Sequence, residues 1–117
     1  QLGQKDLPFK ILTPNYVPPN FSLTSIKVKH PGERGKEEVH LEYSDGLSTI
    51  SFFQSIKEEG QHRNHHPAKT IDIAGSEGNL YHFGLIHLLE WVKGDLRITV
   101  VGGIEEEEML KLANSVH

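Results

Sequence analysis

There is no cysteine among the 117 residues. Disulfides, thiolate metal sites and cysteine nucleophiles are excluded together by that one absence. No apolar run approaches the roughly 20 residues a membrane-crossing helix needs, so direct membrane insertion of this segment is not expected. A contiguous basic stretch is missing as well. Twelve Lys and Arg stand against sixteen Asp and Glu, for a net charge of -4. The densest basic group, Lys27, Lys29, Arg34 and Lys36, is interrupted by Glu33, Glu37 and Glu38. Counterion release from nucleic acid requires a continuous positive face, so nucleic acid is not an expected partner. Anionic membrane surfaces are disfavoured for the same reason.

Catalytic signatures are absent too. No Gly-x-Ser-x-Gly elbow occurs, and Ser44-Asp45-Gly46 and Gly75-Ser76-Glu77-Gly78 are turn chemistry. The pairs Glu37-Glu38 and Glu58-Glu59 are not placed across a cleft, as glycosidase chemistry requires. Gly102-Gly103 precedes a helix, where a phosphate could sit. The four glutamates Glu105 to Glu108 that follow would repel it. The expectation is therefore a non-enzyme with no cofactor.

What is present suits one modest core. Hydrophobic residues make up 36% and charged residues 24%, too apolar for a disordered chain and the right size for a single domain. Residues 1–20 carry Pro8, Pro14, Pro18 and Pro19 and read as an extended lead-in. Phe9, Ile11, Tyr16 and Val17 give that lead-in anchors. Residues 16–117 read as a single α+β domain. The chain begins at Gln1, so it reads as a piece excised from a longer exported or membrane-anchored protein.

Hydrophobic alternation marks the strands. Phe21 to His30 is the first, with a phase change between Leu23 and Ile26 that predicts a bulge. In Glu38 to Tyr43, Val39, Leu41 and Tyr43 share one face. Asp45-Gly46 turns the chain into Ser48 to Ser55. Lys57 to Lys69 reads as an exposed polar loop. Thr70 to Ile73 follows, then a turn across Gly75 to Asn79. Leu80 to His87 and Leu88 to Lys93 are strand-like, with Gly84 as a kink. Gly94-Asp95 leads into Leu96 to Val101. From Glu105 the period becomes helical, with Met109, Leu112, Ala113 and Val116 on one stripe. The expected fold is a twisted antiparallel sheet of about six strands, in hairpins and meanders, with a C-terminal helix packed on it.

The sharpest local feature is Gln61-His62-Arg63-Asn64-His65-His66-Pro67. Imidazole is a common zinc, copper or nickel ligand, so His62, His65 and His66 are the candidate metal ligands. Asn64 and Pro67 argue against a helix that would place His62 and His66 on one face. No carboxylate lies between the histidines to act as a base; the plain alternative is a solvated polar loop.

Three segments together resemble a known domain. Tyr16-Val17-Pro18-Pro19-Asn20-Phe21 is similar to a lead into a first strand made of a proline, one residue, a glycine and an aromatic, with Asn20 in the glycine place. Asparagine suits that place because it tolerates positive φ. Val39 to Phe53, through Tyr43-Ser44-Asp45-Gly46, resembles the hairpin of the C-terminal domain of MucB/RseB-type sigma-factor regulators. Leu96 to Gly102, followed by a helix closing on Ala113-Asn114-Ser115-Val116, resembles that domain's last strand and helix. A related Gram-positive domain of unknown function, found with anti-sigma factors and lipoprotein-carrier-like proteins, shares this plan and favours a tryptophan where Trp91 stands. The resemblance implies a non-catalytic binding or regulatory domain of the bacterial cell envelope. It implies an extracytoplasmic location and a protein partner such as a membrane-anchored regulator. Two alternatives stand beside it. One is metal binding through His62 to His66. The other is lipid or lipoprotein handling in an apolar cavity, for which Phe53, Leu85, Ile86, Leu88 and Leu89 are the available lining.

Overall fold

A computed structural model describes residues 7–29, 36–58 and 67–117. Among the described residues seven strands form one antiparallel sheet, and a single helix follows them. The strands are β1 (Ser22–Lys29), β2 (Glu38–Ser44), β3 (Thr49–Ile56), β4 (Lys69–Ile73), β5 (Ser76–Phe83), β6 (Ile86–Lys93) and β7 (Leu96–Gly102); α1 covers Glu106–Asn114. Their order across the sheet is β1-β2-β3-β7-β6-β5-β4. Two meanders therefore meet where β3 pairs with β7. The expected α+β class and C-terminal helix are present, with seven strands where the sequence suggested about six.

Register explains why one face is apolar. Ile26, Leu41, Phe52, Val100, Leu89 and Leu80 are successive partners across six strands. Alternation then puts Val39, Tyr43, Ile50, Ile98 and Trp91 in the same layer, and all five are buried. Met109, Leu112, Ala113 and Val116 join this cluster from the C-terminal segment, as the helical stripe predicts. The bulge expected in β1 lies between Leu23 and Ser25, where the register shifts.

The lead-in shares the work of covering this face. Phe9, Ile11, Leu12, Tyr16 and Val17 pack against the cluster. Thr13 and His117 exchange backbone hydrogen bonds, each at 3.2 Å. Gln54, fully buried on the inner face of β3, accepts from Leu12 N–H at 2.7 Å and donates to Leu12 C=O at 2.8 Å. A buried amide thus does for the lead-in what a strand partner would do. Phe21 N–H closes a turn onto Pro18 C=O at 3.1 Å, and Asn20 sits at φ 74°. The positive φ expected at Asn20 is there.

Two boundaries differ from the sequence reading. The hairpin between β5 and β6 reverses at Gly84-Leu85, not near His87, because Gly84 at φ 66° can lead a two-residue turn. Gly78 lies inside β5 instead of a turn. A Cβ there would come within 2.4 Å of Ile73 Cδ1, so this glycine makes room for core packing.

Candidate functional site

The three candidate metal ligands, His62, His65 and His66, lie outside the described residues. Among the described residues no group of three or more His, Asp or Glu could hold a metal ion. The remaining central histidines have structural neighbours. His40 stacks on Phe53 with ring centroids 4.3 Å apart, and His82 meets His87 edge-on at 4.5 Å. His87 Nδ1 lies 2.8 Å from Ile104 C=O.

The start of α1 is occupied by its own chain. Glu105 is the N-cap, and Glu106, Glu107 and Glu108 fill the first turn. Lys69 Nζ lies 2.7 Å from Glu106 Oε2. The Tyr16 hydroxyl donates to Glu108, and this bond is the main cause raising the Tyr16 pKa above its ordinary value of 10.0. Lys111 sits 5.7 Å from the centre of the Tyr16 ring. These contacts tie the lead-in and the start of β4 to α1.

The sheet face opposite the core holds a charged cluster. Glu90 is 5% exposed, accepts from the Tyr81 hydroxyl at 3.1 Å, and lies 3.6 Å from Arg97. A buried carboxylate is tolerable only when paired and hydrogen-bonded in this way. Tyr81, Glu90 and Arg97 come from three adjacent strands, so the cluster fastens β5, β6 and β7 together. Sequence alternation alone could not find it, since Glu90 and Trp91 are neighbours that are both buried.

The two edges of the sheet differ. On the β4 side the helix crosses close by. Asn114 Oδ1 accepts from Ala74 N–H at 3.0 Å, just past the end of β4, and Lys69 at its start pairs with Glu106. The β1 edge has no such guard among the described residues. Leu23 and Ile26 are 44% and 48% exposed there, although their register places them in the core layer. Lys27 and Lys29 stand on the opposite face of the same strand and are exposed. Lys29 reaches Glu38 only at 4.0 Å.

The apolar residues offered for a lipid cavity do not converge. Leu89 is fully buried in the core layer, while Phe53 and Leu88 lie on the other face. Leu85 projects from the hairpin tip, 91% exposed. Strict alternation along each strand separates Leu89 from Phe53, Ile86 and Leu88. A different cavity, about 630 Å³, opens between the lead-in at Phe9 and Leu12 and the Ile56 to Lys57 and Lys93 to Leu96 ends of the strands.

Comparisons with known proteins agree with this architecture. The profile of a family described as a domain of unknown function, DUF4367, matches residues 11–116. No curated protein sequence matches the chain. A chain in the complex structure of Pseudomonas aeruginosa MucA/MucB is similar at 20% identity and a TM-score of 0.63, covering 91% of this chain and 34% of that one. A chain in the crystal structure of MucB in complex with MucA(peri) gives the same identity and TM-score, over 91% of this chain and 35% of that one. The chain thus spans about a third of the length of the solved chains it matches. At this identity the likeness establishes the fold.

Proposed function

The chain belongs to the DUF4367 family, and on that premise we propose that it is a non-catalytic protein-binding domain with a regulatory role. The proposed setting is the outer side of a bacterial cytoplasmic membrane. The proposed partner is the external segment of a membrane-anchored regulator in anti-sigma-factor-linked signalling. One observation carries this reading: over 91% of its length the chain shares the fold of chains solved in MucA/MucB complexes. The way the described polar clusters are used is consistent with it. Glu90, Arg97 and Tyr81 are consumed in fastening strands, and Glu106 and Glu108 of α1 in binding Lys69, Lys111 and Tyr16.

The test is a calorimetric titration of the chain with the external segment of a membrane-anchored regulator encoded beside it. A one-to-one complex is expected, of about micromolar affinity or tighter, near -8 kcal/mol. The cytosolic segment of the same regulator should give no heat. Binding to the cytosolic segment and none to the external one would overturn the proposal.

A further inference from the structure

We propose that the β1 edge is the docking site, and that it takes an extended partner segment in which acidic residues alternate with apolar ones. This rests on the reading of the chain as a protein-binding domain and names the surface and the chemistry of its partner.

The two edges of the sheet are asymmetric. A free sheet edge presents unpaired N–H and C=O groups to any passing strand, and proteins usually cover or blunt it. Here α1 brackets β4 at both of its ends, through Asn114 and through Glu106. The β1 edge lacks such a cover among the described residues, yet its strand is eight residues long.

The side chains of β1 then select what can add to it. On the core side, Leu23, Ile26 and Val28 extend the apolar layer beyond Tyr43, Leu41 and Val39. A strand placed alongside would bury Leu23 and Ile26 under its own apolar residues. On the other side, Lys27 and Lys29 would be the immediate cross-strand neighbours of the incoming strand. Glu38 and Glu42 sit one strand further in, roughly 10 Å from it. Cross-strand pairs of opposite charge stabilise and like charges directly opposite destabilise, so acidic residues are favoured on that face. The same lysines disfavour a second copy of β1, which would face lysine with lysine. The bulge after Leu23 restricts regular pairing to Ser25 through Lys29.

The probe is a six-residue peptide alternating valine and glutamate, N-methylated on alternate amides so that only one edge can bond. Nuclear magnetic resonance should show shifts in the amides of Ser25 to Lys29. A lysine-for-glutamate peptide should bind about tenfold more weakly, as expected for charges moved between favourable and unfavourable cross-strand pairs. In a Lys27→Glu, Lys29→Glu double variant that preference should invert. Shifts confined to another surface, or a preference unchanged by the double variant, would overturn the proposal. Titration with the regulator segment separates the two readings. If the segment binds without disturbing β1, the edge proposal fails while the protein-binding role stands. If it binds nowhere, the role itself fails.

Discussion

At the scale of single residues, Gln54 shows how one polar side chain holds two parts of the chain together. Its position in β3 is an inner one, flanked by Phe52 and Ile56 on the same face, where an apolar residue would be expected. It is fully buried, and both ends of its amide are used by the Leu12 backbone. Leucine at this position would keep most of the volume but leave Leu12 N–H and C=O without partners. Orphaned polar groups of this kind cost about 1–3 kcal/mol in total when partly shielded from water. Urea denaturation of Gln54→Leu should show that loss, and amide exchange should quicken in residues 11–13. Ser55→Ala, one residue along on the other face, should stay within about 0.5 kcal/mol of the parent.

At the scale of elements, the β2–β3 hairpin depends on one carboxylate. Asp45 Oδ1 accepts from Ser48 N–H at 2.8 Å and from Leu47 N–H at 2.9 Å, while Gly46 supplies the positive φ of 96°. These backbone bonds, that of Ser48 foremost, lower the Asp45 pKa below its ordinary 3.8. A carboxyl whose folded value is depressed stabilises fully above its unfolded value and loses that contribution as pH falls through the folded one. The turn should therefore loosen below about pH 4 and not above it. The Leu47 and Ser48 amide shifts should titrate together in that acid window, and Asp45→Asn should remove the titration. The hairpin between β5 and β6 teaches the complementary lesson. Its turn, Gly84-Leu85, carries an exposed leucine in place of a polar residue, so composition hid the reversal that Gly84 makes possible.

At the scale of the whole molecule, the core is closed by two segments from opposite ends of the chain. The lead-in and the residues after α1 meet through the Thr13–His117 pair and the bridge between Pro14 and Val116. Phe9, Ile11, Leu12, Tyr16 and Val17 are each partly buried against the sheet. Fully burying such side chains is worth about 1.5–3 kcal/mol apiece, and half of that summed over five is comparable with the 5–15 kcal/mol stability of an ordinary domain. A chain beginning at Pro18 should therefore lose cooperative unfolding and bind a hydrophobic dye, as calorimetry and fluorescence would register.

The class of fold follows from residue order alone, because period-two and period-3.6 patterns report which face of each element is apolar. The Asp45-Gly46 turn and the positive φ at Asn20 are legible in the same way, since these rest on local backbone preferences. So is the negative charge at the helix start, where four glutamates stand in succession. Strand order emerges only on folding, because register and neighbour are long-range facts with no local signature. That order makes β1 an edge, turns Leu23 and Ile26 from core residues into exposed ones, and sets Glu90 between Tyr81 and Arg97. It also separates Phe53 from Leu89, which the sequence had offered as lining for one cavity. Burial depends on what lies across the sheet, and no residue carries that information alone.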